Sequence, residues 1–332
     1  MRQLATIQKI EELRPIEGAD AIECARVLGW ELVVKKGQFK VGDLCVYCEI
    51  DSILPADNPH FAFLEGKRIK TVKLRGQISQ GIAFGLEVLP SLEEFYHDGV
   101  DPVGTDCTEH LKVTKWEPVQ TMAGGQPKGN FPEYIPKTDE TRVQILQPLL
   151  DQFAGTRCYI TEKLDGSSIT IWRLDGELHV ASRNLQMKSG TFWDVAQMYA
   201  EHVEEGFALQ GELIGPGVQK NKYKLKEHHV RFFSKFNIPE QQYVLPPTYG
   251  PYVPIIQENY ILGTSIPDLV KLAIGQSLIT SGTKREGIVI RSYENIGGVP
   301  SRHFFGGGRL NNAMGYLSFK VINPEFSLKY DE

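Results

Sequence analysis

The stretch with the clearest chemical potential is Glu162-Lys163-Leu164-Asp165-Gly166, at a predicted strand end just before a tight turn. A lysine in such a place is usually a surface lysine, and matches this short arise often by chance. What lifts it is the ordered series of strand-borne charges that follows. These are Ser182-Arg183-Asn184, Gly211-Glu212, the run from Phe233 to Ile238, Glu286-Gly287 and Phe319-Lys320. An amine attacks only when neutral, and free lysine titrates near ~10.4. A nearby metal ion or second lysine disfavours the ammonium form. Carboxylates are needed to hold Mg²⁺, usually through water. A cleft lined by lysines, carboxylates and an exposed aromatic ring suits a nucleoside triphosphate with Mg²⁺ or Mn²⁺.

The strand phases agree with such a cleft. Alternation from Val230 to Ile238 puts Phe232, Phe236 and Ile238 on a core face and turns Phe233 and Lys235 the other way. In Leu317-Ser318-Phe319-Lys320-Val321-Ile322, the residues Leu317, Phe319 and Val321 share a core face and Lys320 projects opposite.

The elements that must position these groups fall into two textures. Residues 1–114 read as short strands (30–34, 43–50, 69–74, 81–84) punctuated by turns, which predicts a small β-barrel. A helix is expected near Leu4 or near Pro90. Residues 115–140 carry Pro118, Gly124, Gly125, Pro127, Gly129, Pro132 and Pro136 and read as a linker or wrapping loop. Residues 141–332 read as an antiparallel-rich α+β domain. Strands are predicted at 157–163, 168–173 and 177–182, the last two joined by an Asp175-Gly176 hairpin turn. Thr191 with Asp194 predicts a capped helix presenting Phe192, Val195, Ala196 and Tyr199. Further strands are predicted at 207–214, 230–238, 286–291 and 316–322, and a helix over 267–276 opened by Ser265 and Pro267.

Composition narrows the classes. In 332 residues, 36 Lys+Arg stand against 41 Asp+Glu, a net charge of −5 that argues against a generic polyanion-coating protein. Local basic tracks remain possible: Lys67, Arg68, Lys70, Lys73 and Arg75, and a second from Lys220 to Lys235. Five cysteines make no disulfide framework, and Cys45-x-x-Cys48 on a strand points to opposite faces, so both read as core residues. His228-His229 has no metal-ligand spacing. No apolar run reaches the ~20 residues of a membrane span, and the start lacks a signal-peptide core, so a cytoplasmic monomer is expected.

With these motifs in order, the chain resembles the covalent nucleotidyltransferases, and among them the ATP-dependent RNA ligases of the Deinococcus and Naegleria types. The likeness includes Lys73-Leu74-Arg75-Gly76-Gln77-Ile78-Ser79-Gln80-Gly81, Ile135-Pro136-Lys137-Thr138-Asp139-Glu140 and Gly211-Glu212-Leu213-Ile214-Gly215-Pro216-Gly217. It implies an N-terminal OB-fold (1–114) before a nucleotidyltransferase domain (141–332), and an activity in RNA repair. ATP would adenylylate a lysine, AMP would pass to a 5′-phosphate end, and a 3′-hydroxyl would displace it. By resemblance, Lys163 is the nucleophile, and Asp165 positions it or holds metal-bound water. Glu162 reads adenine, Arg183 binds ribose or the end, Glu212 and Glu286 are ribose and metal-water carboxylates, Phe233 stacks on adenine, and Lys320 contacts the α-phosphate. Lys70, Lys73 and Arg75, with Phe61 and Phe63 nearby, are the candidate nucleic-acid contacts on the first domain. Core packing is an equally good reading of the two rings. Many relatives carry Lys-x-Lys in the last motif where this chain has Ser318-Phe319-Lys320; Lys222, Lys224 or Arg309 could make up the pyrophosphate contact.

Three other readings compete: a DNA ligase, an RNA-capping guanylyltransferase, and an OB-fold binding protein with an inactive second domain. The first two generally carry the OB-fold after the last motif, whereas only twelve residues follow Lys320 here. The third is disfavoured because the lysine, both glutamates and the last lysine are all present.

Overall fold

The computed structural model describes residues 3–91, 95, 101–117, 125–244, 251–296 and 316–330. Arg309 and part of the segment after Pro90 lie outside them.

The first part of the chain winds short antiparallel strands around one core. Ala5–Lys9, Leu44–Cys48 and Ile82–Phe84 form one sheet, and Glu12–Pro15, Ile22–Val27 and Trp30–Lys35 another. The hairpin Thr71–Leu74/Gln77–Gln80 docks on the latter, where the Val33 N–H donates to Ser79 Oγ (2.9 Å). Alternation sends Trp30, Leu32 and Val34 inward against Ile7, Tyr47 and Phe61. The expected helix near Leu4 is a strand instead. Ala5–Lys9 pairs in full antiparallel register with Leu44–Cys48, and its Thr6 and Ile7 are stiff β-branched residues suited to a pleated surface. Cys45 and Cys48 are both buried and free, as expected.

The second part contains two antiparallel sheets. The larger runs, in spatial order, Pro127–Asn130, Leu185–Met187, Glu177–Ala181, Ser167–Leu174, Phe207–Ile214, His229–Asn237 and Gln242–Val244. The smaller runs Ile255–Ile261, Arg157–Lys163, Gly287–Asn295 and Tyr316–Ile322. Asp175 and Gly176 both take positive φ (54° and 77°), as a two-residue hairpin turn requires. The helix Thr191–Met198 presents Phe192, Val195 and Ala196 to the larger sheet, but its N-cap is Gly190, so Thr191 does not cap it. Ser265 does cap Ile266–Ala273, accepting from the Asp268 N–H.

Several elements escape the sequence pattern, three of them for clear reasons. Pro127–Asn130, inside the segment read as a linker, is an edge strand, where a proline's missing N–H is tolerated. Ile255–Ile261 is an edge strand with five of its seven residues exposed, so it shows no alternation. Pro324–Tyr330 is a short helix whose Glu325 N–H donates to Asn323 Oδ1 (3.0 Å).

The two parts meet through Arg142. Its guanidinium donates to Asp51 Oδ2 (3.0 Å) and lies 5.7 Å from the Trp30 ring. Alongside, the Gly29 N–H donates to the Gln144 carbonyl (2.8 Å). The helix Pro324–Tyr330 also packs on strand Thr71–Leu74.

Candidate active site

A cleft of about 1140 Å³ opens between the two sheets of the second part. Its floor is the end of strand Arg157–Lys163. Cys158 and Ile160 point into the core beneath, which leaves Thr161 and Lys163 on the cleft side. Register then carries the same face across the sheet: Thr161 pairs with Val289, and Val289 with Lys320. Leu317, Phe319 and Val321 lie in the core, so Lys320 projects into the cleft as alternation requires.

Lys163 Nζ donates to both carboxylate oxygens of Glu286, at 2.8 and 2.7 Å. Glu212 comes from the opposite sheet and accepts from the Gly166 N–H (3.0 Å). Only glycine fits at 166: a Cβ there would stand 2.3 Å from the Leu213 carbonyl and 2.8 Å from Glu212 Cγ. The Asp165 N–H donates to Tyr223 Oη (2.8 Å), and its carboxylate accepts from the Lys222 ammonium. Sequence reasoning missed Tyr223, which has no motif signal.

These charges perturb one another. Burial opposes a charge on Lys163, but Glu286, Glu212 and Asp165 together outweigh it and raise its pKa. Burial raises Asp165 to about 6, with Glu286 adding to the rise and Lys222 opposing it. Burial likewise raises Glu212 to about 8, against the pull of Lys163. Burial and mutual repulsion thus oppose ionisation of these crowded carboxylates, and a cation among them would relieve it. Among the described residues no three candidate ligands are grouped to grip a metal directly. Crowded carboxylates of this kind suit a divalent cation held through water and substrate oxygens, which is how Mg²⁺ is ordinarily bound.

The strand His229–Asn237 departs from simple alternation. Gln210 pairs with Ser234 and Gly211 with Phe232, so Phe233 is an unopposed bulge residue. The bulge re-phases the strand. Val230 and Phe232 pack toward the helix Thr191–Met198, while Phe236 and Ile238 pack on the other face with Trp172. Phe232 and Phe236 therefore do not share a face, contrary to the sequence expectation. Phe233 lines the cleft, but Lys235 turns away from it, pairing with Glu204 (2.8 Å) over the Phe207 ring.

Glu162 is also among the residues lining the cleft. Its cross-strand neighbour is Ile288, a core residue, and its carboxylate accepts from the Leu278 N–H (2.7 Å). Arg183 stands at the rim, half exposed and paired with Asp139 (2.6 Å). Beside it, Lys137 donates to Asn184 Oδ1 (3.0 Å).

Ser318, where a lysine is usual, is fully buried in a network. Arg291 donates to Ser318 Oγ (2.9 Å), Glu140 Oε1 (2.9 Å) and the Phe233 carbonyl (2.6 Å), and Ser318 Oγ donates to Glu140 (2.7 Å). A guanidinium thus occupies the neighbourhood of the absent ammonium and ties down the bulge carrying Phe233. Arg291 was missed because on a strand it reads as an ordinary exposed charge.

On the first domain, Lys73 and Arg75 are exposed on the Thr71–Gln80 hairpin and Lys70 is half-buried beside it. Arg68 is spent internally, on Asp51 and over the Trp116 ring (3.9 Å). Phe61 is core, whereas Phe63 is exposed.

Comparison with known proteins adds to this geometry. A family described as RNA ligase matches residues 156–305, and an OB-fold domain family matches residues 4–86. Nothing among curated protein sequences matches. A mutant of Naegleria gruberi RNA ligase solved with ATP and Mn is 34% identical, covers 100% of both chains and superposes with a TM-score of 0.82. The same enzyme with PPi is 34% identical over 98% of each chain, with a TM-score of 0.80. A mutant without ligand is 34% identical, covering 98% of this chain and 97% of that one, with a TM-score of 0.81.

Proposed function

The chain belongs to the RNA ligase family and is an ATP-dependent RNA ligase, and from that premise we propose how its residues divide the reaction. Lys163 Nζ loses a proton and attacks the α-phosphorus of ATP, releasing pyrophosphate and leaving AMP on the lysine. AMP then passes to a 5′-phosphate end, and a 3′-hydroxyl displaces it to close the strand. The observation that carries the assignment is the two-oxygen contact between Lys163 and Glu286 on the cleft floor, flanked by Glu212 and Asp165.

In that contact the amine is paired with a carboxylate. Held by Glu286, the amine is an ammonium and cannot attack, so adenylylation requires Glu286 to release it. Glu286, Glu212 and Asp165 are the groups that would hold a divalent cation, through water. When bound, the cation would neutralise charge on the phosphoryl oxygens. Lys320 adds a fixed cation on the same face. Phe233 offers its ring to the base, and Arg183 at the rim meets the ribose or the incoming end. Glu162, beside Lys163 in the lining of the cleft, is assigned to the adenine edge.

The first domain serves the strand. Lys70, Lys73 and Arg75 track phosphates of RNA presented as a nicked duplex or a broken strand. No helix among the described residues is long and apolar enough to cross a membrane. The five buried free thiols fit a reducing compartment, and we assign the enzyme to the cytoplasm as a monomer.

The test is incubation with labelled ATP and Mn²⁺, then sealing of matched nicked duplexes with RNA or DNA on each side of the nick. A covalent adduct lost in Lys163→Ala, with sealing that needs RNA at the nick, supports the reading. An adduct that persists undiminished in Lys163→Ala defeats it.

A further inference from the structure

Asp165 is held by a lysine that the reaction scheme above leaves unused. The Lys222 ammonium donates to Asp165 Oδ2, and the two side chains are only 13% and 18% exposed. The C-terminal helix seats this ammonium, with the Phe326 ring centroid 5.3 Å away and that of Tyr330 6.0 Å away. Its backbone is fixed as well. The Lys222 carbonyl accepts from the Thr283 hydroxyl (3.1 Å). The three residues before it, Gln219, Lys220 and Asn221, all take positive φ. Asn221 pins that turn, accepting from the Leu225 N–H (3.0 Å) and donating to its carbonyl (2.8 Å).

Such a setting is not that of a surface ion pair. A lysine is flexible, and ordering it costs up to about 2 kcal/mol of side-chain entropy. Withdrawing both charges from water costs more, and the pair endures only where geometry offsets that cost. Two rings and a strained turn committed to one ammonium make a place built for a cation against Asp165.

We propose that Lys222 is the resident counter-ion of Asp165, holding the carboxylate in place in the metal-free protein and competing with a divalent cation for it. The inference rests on the reading of Lys163 and Asp165 given above. Competition follows from charge: a carboxylate neutralised by an ammonium attracts a second cation less, and a divalent ion nearby repels the ammonium. Lys222 is then a positioning residue, and through Phe326 and Tyr330 the C-terminal helix sets how much divalent cation the enzyme demands. Because that helix packs on strand Thr71–Leu74, the seat of Lys222 adjoins the hairpin of the first domain.

Mn²⁺ binding to the full-length protein without ATP, followed by electron paramagnetic resonance of the free ion, tests the proposal. Lys222→Met should tighten Mn²⁺ about fivefold, the equivalent of about 1 kcal/mol. Lys222→Arg, which keeps the charge, should stay near the wild type. A residue with a merely structural role would loosen Mn²⁺ when lost. Unchanged or weaker binding by folded Lys222→Met overturns the proposal. Should that variant fail to fold, Lys222→Gln keeps a polar side chain without the charge, and the same outcomes decide. Adduct formation by the wild type, measured alongside, separates the two ideas. A wild type that adenylylates while Lys222→Met leaves Mn²⁺ binding unchanged sinks this inference alone. A wild type that forms no adduct sinks the underlying reading.

Discussion

In the cleft, Lys163 rests on Glu286, Lys222 on Asp165 and Arg291 on Glu140, all largely withdrawn from water. On the hairpin of the first domain, Lys73 and Arg75 stand in solvent. The contrast is what the two tasks proposed above would require. A phosphoryl-transfer site gains from charges fixed in a low dielectric, where each acts strongly and does not reorganise during the reaction. A surface that tracks an RNA backbone gains from hydrated cations that adapt to phosphates and release counterions. Burial therefore separates chemistry from grip.

The largest effect belongs to the buried side. Lys163→Ala should leave no detectable lysyl-AMP and no sealing from ATP, read by labelled adduct on a gel. Sealing of RNA that already carries a 5′-adenylyl end should survive in part, because that step needs no nucleophilic lysine. If pre-adenylylated ends are sealed no better than plain ones by this variant, the division of the reaction is wrong.

How far each region was legible in sequence follows the same division. Lys163, Glu212 and Glu286 were legible as an ordered series of motifs and Lys320 from strand alternation, and the structure brings all four into one cleft. Phe233 was readable as a cleft residue, but Lys235 was not, because a bulge cannot be seen in a pattern of period two. Glu162 is adjacent to Lys163 and lines the cleft with it, with its Oε2 accepting from the Leu278 N–H. The Arg291–Glu140–Ser318 network was invisible, as it joins positions 151 and 27 residues apart. On the hairpin the sequence offered only charge, which a solvated face also shows.

Next in size is the ring. Phe233→Ala should raise the KM for ATP between about fivefold and a hundredfold, the range of about 1–3 kcal/mol for a stacked base. Arg291 acts on this ring through the bulge carbonyl. Replacing Arg291 and Glu140 together by Met removes the buried pair without stranding a charge. It should raise KM in the Phe233 background and have little further effect in Phe233→Ala. Additive losses in the combined variant would show that Arg291 acts elsewhere.

The hairpin should respond more mildly and in a different currency. Reversing Lys70, Lys73 and Arg75 to Glu should lower sealing of a nicked duplex about tenfold at moderate salt and flatten its salt dependence, as fewer counterions are released. Self-adenylylation should be unchanged, since none of the three lies in the cleft. A matching loss of adduct formation would erase the distinction between the two surfaces.

The smallest effect tests the buried charges without any substrate. Burial raises Glu212 to about 8, far above its ordinary 4.5. A carboxyl with a raised folded pKa binds its proton more tightly in the native state than in the unfolded chain. Its contribution to stability is therefore fully present below pH 4.5 and is lost as pH rises through about 8. Asp165, raised to about 6, works in the same direction over a lower window. In the metal-free protein, Glu212→Gln should remove the upper part of this dependence. An amide of the same shape keeps the carbonyl that accepts from the Gly166 N–H and carries no charge at any pH. The variant should melt close to the wild type at pH 5 and a few degrees higher at pH 8, measured by thermal denaturation without divalent ions. On the hairpin, Arg75→Gln should leave the difference between the two pH values untouched, because an exposed cation there has no buried partner to lose. Equal pH dependence in wild type and Glu212→Gln would mean that Glu212 is ionised at rest, and the cleft would then hold its charges no more tightly than the hairpin does.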